Sequence, residues 1–225
     1  MDDLHLKISN FFLVNSNITN QSKDSLGRYH ITNIPFSQFV KLDFDYRFYF
    51  KLFKSEKLVY RIAGGIGKPL QNLSSLPYEQ SFFSGGPNSM RAWRARTLGP
   101  GAYKPSDKDA KYDKIGNIQI ETNIEYRFHV FKSFYGAWFA DVGNIWLLKP
   151  DESKPNGEFH VDTFYKQFAV GSGFGLRYDF SFFVLRLDGA IKVIDPQYDL
   201  GNRFILGKKT IRESSILNFG IGYPF

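Results

Sequence analysis

Alternation with a period of two runs through most of this chain. Over residues 115–131 the odd positions read Ile115, Asn117, Gln119, Glu121, Asn123, Glu125, Arg127, His129 and Phe131, and the even ones Gly116, Ile118, Ile120, Thr122, Ile124, Tyr126, Phe128 and Val130. Side chains point alternately to the two faces of a strand, so this predicts one long strand with a polar and an apolar face. Ordinary strands run about five or six residues. Alternation held this far is long enough to cross a bilayer at a tilt, which takes roughly 9–11 residues. Residues 38–52 repeat the pattern, with Val40, Leu42, Phe44, Tyr46, Phe48, Phe50 and Leu52 opposite Lys41, Asp43, Asp45, Arg47, Tyr49 and Lys51. So do residues 164–180, where Phe168, Val170, Phe174, Leu176, Tyr178 and Phe180 oppose a row containing Gly171, Gly173, Gly175, Arg177 and Asp179. The phase flips at Ser181-Phe182 and continues through residues 183–192, as a two-residue turn between antiparallel strands requires. Residues 58–67, 134–148 and 213–225 complete seven strands, residues 4–14 are a weaker eighth, and no segment carries a convincing helical period.

Composition sharpens this. Hydrophobic residues make up 43% and charged ones 23% of the 225 residues, which excludes a disordered chain. No apolar run approaches the roughly 18 residues of a spanning helix, which excludes a helical membrane protein. Yet aromatics reach 18%, with 24 Phe and 13 Tyr, an excess that suits β-strands in contact with lipid. Connections are very short at 132–133 and around Ser181, and long, rich in Gly, Pro, Asp and Lys, at 71–114 and 149–162. Short turns at one end and long loops at the other is the asymmetry of an outer-membrane barrel. The fold class expected is all-β, a transmembrane antiparallel barrel wall of about eight strands, with residues 1–225 as one domain. The absence of cysteine removes disulfides, thiolate metal sites and thiol nucleophiles. The first residues show no secretory signal peptide.

The longest loop carries the most distinctive segment, Ser84-Gly85-Gly86-Pro87-Asn88-Ser89-Met90-Arg91-Ala92-Trp93, followed by Thr97-Leu98-Gly99-Pro100. It reads either as a surface turn with solvated arginines or as a plug folded into the lumen, with Arg91 paired to inward carboxylates. Glu121, Glu125 and Asp141 are the candidates, since the strands bearing them are joined by a very short turn, and clustered inward acids repel unless a guanidinium sits among them. Catalysis finds no support: there is no H-E-x-x-H, phosphate loop or nucleophile elbow, and no metal or cofactor motif. Gly171-Ser172-Gly173-Phe174-Gly175 lies inside an alternating strand, where glycines leave room for something packed against them. The basic stretch Arg91, Arg94, Arg96, Lys104, Lys108, Lys111 and Lys114 suits nucleic acid or lipid phosphate by charge alone, and the net charge of +7 does not separate the two. At the end, Leu217, Phe219, Ile221, Tyr223 and Phe225 alternate with Asn218, Gly220, Gly222 and Pro224.

These motifs, in this order, resemble the surface-antigen barrel of the BamA/TamA-type outer-membrane insertases, most closely the Bacteroidetes versions. The resemblance covers residues 81–225 strongly and extends over 39–70. Gly85, Gly86, Arg91, Ala92 and Trp93 match the family's lumen loop, Glu125-Tyr126 its glutamate strand, and Asp141-Val142-Gly143 its Asp-x-Gly strand. The resemblance implies that Arg91 is held by Glu125 and Asp141. Ala92 stands where the family has glycine, which predicts strain if that position needs a positive φ. The terminal aromatic strand, with Gly220, Gly222, Tyr223 and Phe225, is implied to be the weak side of a lateral seam. The family barrel has sixteen strands behind periplasmic POTRA domains. These 225 residues hold about half the strands and no POTRA domain, so the chain reads as the C-terminal half of such a barrel, as a split form, or as an independent eight-stranded barrel. The function implied is non-enzymatic insertion of client barrels into the outer membrane. The partners expected are outer-membrane lipids and lipopolysaccharide, client barrels, and accessory lipoproteins or the missing half, with no cofactor and no nucleic acid. The other class is a passive porin or the barrel anchor of a larger complex.

Overall fold

A computed structural model describes residues 3–9, 28–31, 34–70, 72–106 and 114–225. Ten strands follow in chain order: β1 (Asp3–Ser9), β2 (His30–Ile31), β3 (Ile34–Pro35), β4 (Phe39–Phe53), β5 (Glu56–Pro69), β6 (Ile118–Phe131), β7 (Phe134–Trp146), β8 (Ala169–Asp179), β9 (Val184–Ile194) and β10 (Ser215–Ile221). A single-turn helix, α1 (Ile211–Ser214), precedes β10. β2 and β3 form a two-stranded ribbon, and the other eight make one antiparallel sheet in the order β1-β4-β5-β6-β7-β8-β9-β10. Among the described residues β1 and β10 are not paired with each other, so the sheet is open, as half of a larger barrel wall would be.

The sheet is polar inside and apolar outside. On the inward positions of β6 and β7, Glu121, Asn123, Glu125 and Asp141 are all at most 1% exposed, whereas on the outward positions of β8 and β10 Phe174, Leu217, Phe219 and Ile221 are 65–72% exposed. Such an inversion is unfavourable in water and is what a sheet facing hydrocarbon requires, because each strand alternates an apolar outer with a polar inner residue. The inner face is covered by the β5–β6 connection, which supplies the buried Met90, Ala92, Trp93 and Leu98. The connections β4–β5, β6–β7 and β8–β9 lie at one end, and the last is closed by a hydrogen bond from Phe180 N to Phe183 O around Ser181-Phe182. The long connections lie at the other end.

Alternation places seven strands of the sheet to within a few residues, and the differences have local causes. Residues 164–168 share the parity of β8 but form a 3-10 turn over Phe164–Gln167, because Phe164 and Phe168 pack edge-on against Trp146 at 6.2 and 5.6 Å. Residues 211–214 coil into α1, so the last strand begins at Ser215. It ends at Ile221, not at Phe225, because Gly222 adopts φ 84° and turns the chain inward. Of the weak first strand, residues 3–9 are β1; residues 10–14 lie outside the described ones, as do Gln71, Lys108 and Lys111 of the long loop and its basic stretch.

Candidate functional site

The loop is shaped by glycine before it is held by charge. Gly85 and Gly86 take φ of 102° and 97°, and a Cβ on Gly85 would lie 2.2 Å from the Arg94 carbonyl oxygen, so only glycine fits there. The turn closes through Gly86 N to Trp93 O (2.7 Å) and Trp93 N to Met90 O (3.0 Å), and is tied back by Arg96 N to Ser84 O (3.0 Å). This projects Met90-Arg91-Ala92-Trp93 against the inner faces of β6 and β7. An irregularity between His129 and Phe131 in the β6–β7 register sets Asn123, an inward residue, opposite Asp141, with Glu125 next along the same face.

Arg91 lies between the two predicted acids and is fully buried. Its Nε and Nη2 donate to the two carboxylate oxygens of Asp141 at 2.9 and 2.8 Å, and its backbone N–H donates to Asp141 Oδ2 at 3.0 Å. Nη1 donates to Glu125 Oε2. The guanidinium plane stacks on Phe139, 3.6 Å from the ring centroid. The two-pronged fork on Asp141 suits arginine and not lysine, since an ammonium has no planar pair of donors. Glu121, the third candidate, is engaged elsewhere: it accepts from Ser84 Oγ and Ser89 Oγ at 2.6 Å each and from Arg61 at 3.4 Å. It fastens the shoulders of the loop.

Ala92 does not take a positive φ, so the strain expected there is absent; among the described non-glycine residues positive φ occurs at Arg96, Lys132, Asn156 and Ser181. Space for its methyl group comes from across the sheet, where a Cβ on Gly171 would lie 2.8 Å from Ala92 Cβ. The same glycine row admits Phe139 at Gly173, whose added Cβ would meet that ring at 2.6 Å, and the Arg177–Asp188 pair at Gly175, at 1.9 and 2.0 Å.

The cluster is larger than the three residues named from the sequence. Glu125 Oε1 also accepts from Arg127 Nε (2.8 Å) and Arg177 Nη2 (3.3 Å), Arg177 Nη1 donates to Asp188, and Asn123 Nδ2 donates to Asp141 Oδ1 (2.9 Å). Arg177, Arg186 and Asp188 were within reach of sequence reasoning: a two-residue turn at Ser181-Phe182 fixes the register that sets Arg177 opposite Arg186 and Gly175 opposite Asp188. At the chain's end, Gly220 leaves room for Arg186, which passes 2.7 Å from where its Cβ would be and donates to Asn88 Oδ1 at 2.8 Å. Asn218 Nδ2 donates to the Arg91 carbonyl at 2.9 Å. Tyr223 lies under the Arg127 guanidinium at 4.2 Å, and Arg127 donates to the carbonyl of the buried Phe225 at 3.1 Å. The inner network and the last strand are therefore one connected structure.

Of the basic stretch, Arg96 covers the Tyr78 and Phe83 rings at 4.5 and 4.6 Å, Arg94 and Lys104 are exposed, and Lys114 is buried. Burial pulls the Lys114 ammonium down to about 8, against the attraction of Asp195 and with the repulsion of Lys192. With Arg91 and Lys114 buried, the described part of the stretch is not a uniformly solvated basic face.

An antiparallel sheet with an apolar outer face, whose polar inner face is filled by an arginine-tipped loop, defines the wall of an outer-membrane-type β-barrel. The chain belongs to the Omp85 superfamily, whose domain matches residues 25–225. Among solved structures it is similar to BamA from Haemophilus ducreyi lacking POTRA domains 1-3, at 17% identity and a TM-score of 0.53 over 69% of this chain and 32% of that one. It also matches CdiB from Acinetobacter baumannii at 17% identity, with a TM-score of 0.48 over 86% of this chain and 28% of that one. At such identity the likeness to the BamA structure is one of fold. The chain spans 28–32% of the length of these two structures.

Proposed function

We propose that this chain is the C-terminal wall of an outer-membrane insertase of the BamA/TamA type, resident in the outer membrane and acting without catalytic groups or cofactor. The reading rests on one observation: the loop arginine that bridges Glu125 and Asp141 is hydrogen-bonded through its carbonyl to Asn218 of β10, the strand at the open edge of the sheet. An edge strand offers unpaired backbone donors and acceptors to an incoming strand, which is β-augmentation inside a membrane. β10 suits that part because it is short, seven residues against eleven in β9, and carries Gly220 opposite Arg186. The clients are unfolded barrel proteins whose terminal strand pairs transiently at this edge. Accessory lipoproteins and the remaining barrel strands complete the machine.

The test is reconstitution of the full polypeptide in liposomes with an unfolded barrel protein added. Faster folding of the added protein, abolished by Arg91→Ala, is the expected result. Ion conduction with no acceleration of folding would establish a passive barrel instead.

A further inference from the structure

A cavity of about 870 Å³ lies at the long-loop end of β5, between that strand and the two connections that follow β5 and β7. It is on the outer side of the wall. Gly65 and Gly67 point inward, where an added Cβ would strike Phe82 and Leu76, so Ile66 and Lys68 between and beyond them point out. The floor is apolar, with Ile66, Leu147 and Leu148, and is continuous with the lipid-facing surface of β5; Ile66 is 45% exposed. The rim is charged. Lys68 and Lys149 both line the cavity, both are exposed, and neither forms an ion pair with the described residues. Of the two acids on the same rim, Asp151 is occupied by its own turn, accepting from the backbone N–H and Oγ of Ser153 at 2.9 and 2.6 Å with Lys154 at 3.8 Å. Glu152 is an exposed carboxylate on the same rim, so that with Asp151 held by its own turn the two lysines outnumber the one free acid, and the hydroxyls of Ser74 and Ser75 lie beside them.

We infer that this cavity seats the headgroup of a phosphorylated glycolipid of the outer leaflet. The volume lies in the range of small-molecule sites, roughly 300–1,000 Å³. An apolar floor open to the bilayer takes the root of an acyl chain, while two exposed lysines at headgroup level, without an ion pair among the described residues, take phosphate. Ser74, Ser75 and Glu152 are acceptors for sugar hydroxyls and amide N–H groups, which a plain phospholipid does not present in number. The long-loop end faces outward in barrels of this class, which fixes the leaflet. The inference rests on the outer-membrane reading above.

The experiment uses the full polypeptide extracted from outer membranes in mild detergent and delipidated, then offered bisphosphorylated lipid A, dephosphorylated lipid A or phosphatidylglycerol, with bound lipid counted by native mass spectrometry. Bisphosphorylated lipid A is expected to bind, and Lys68→Gln with Lys149→Gln to weaken it roughly thirtyfold, as the loss of two cation–phosphate contacts requires. Lys166→Gln, outside the cavity, leaves it unchanged. Equal binding of dephosphorylated lipid A, equal binding of phosphatidylglycerol, or indifference to the double substitution would each overturn the site while leaving the insertase reading intact. A polypeptide absent from the outer-membrane fraction would overturn both.

Discussion

Replacing Arg91 by Met removes the guanidinium and keeps much of the stacking volume over Phe139, so the electrostatic part of the clasp can be isolated. The two acids do not suffer equally. Glu125 retains Arg127 at 2.8 Å and Arg177 at 3.3 Å as counter-charges. Asp141 retains only neutral donors, Asn123 Nδ2 at 2.9 Å and the residue-91 backbone N–H at 3.0 Å, and is fully buried. Breaking a buried pair so that one charge is stranded costs about 3–5 kcal/mol, and the remaining neutral donors put this case near the low end. About 3 kcal/mol lowers the melting temperature of a domain this size by roughly 6–12 °C. The folded and unfolded forms can be separated by heat-dependent mobility on gels after reconstitution in liposomes. Adding Asp141→Asn to Arg91→Met removes the stranded charge and should recover a substantial part of the loss, whereas Asp141→Asn alone should destabilise. A melting point for Arg91→Met indistinguishable from the parent, or a double variant worse than the single, would refute the stranded-charge account.

Three further outcomes follow from the packing and the charges. Gly171→Ala places a methyl 2.8 Å from Ala92 Cβ and should destabilise by about 1–3 kcal/mol, with Ala92→Gly in the same chain restoring most of it; denaturant midpoints of the three variants decide this. Gly222→Ala forces a side chain into φ 84° with no clash around it, so the cost is the left-handed backbone alone, about 1–2 kcal/mol, read as faster unfolding of the reconstituted barrel. Lys114 is lowered to about 8 in the folded chain but holds its proton to about 10.4 when unfolded, so the unfolded state binds more protons between those values. Stability should therefore rise as pH climbs through that window, and Lys114→Met should flatten the profile in denaturant titrations from pH 7 to 10.5.

Strand parity told which residues face inward, and with it Glu125, Asp141 and the glycine row, because a period of two is a local property of the chain. What it missed was decided by contacts between distant segments. Phe164 and Phe168 carry strand parity and yet serve an aromatic cluster on Trp146. Tyr223 and Phe225 continue the alternation of β10, yet after the left-handed Gly222 the ring of the partly exposed Tyr223 lies against Arg127 and Phe225 is buried. The strain expected at Ala92 rested on a positive φ that the residue does not adopt, and the room for its methyl group comes from Gly171, 79 positions away in the sequence and adjacent in space. The β2–β3 ribbon, two residues per strand, is too short to leave a periodic signal.

The placement of the clasp has a consequence for the order of folding. Asn123 and Glu125 belong to β6 and Asp141 to β7, two strands joined by Lys132-Ser133 alone. A hairpin with so short a loop forms within microseconds and at small entropic cost. The side chains that receive the Arg91 guanidinium, Glu125, Phe139 and Asp141, thus all belong to one hairpin, and none of them belongs to β5. Arg91 lies near the middle of the connection, 22 residues after Pro69 and 27 before Ile118, so its docking divides that span into two shorter ones and draws the two hairpins together. On this view the buried arginine first acts as a nucleation point, drawing the sheet together around a loop already in its seat.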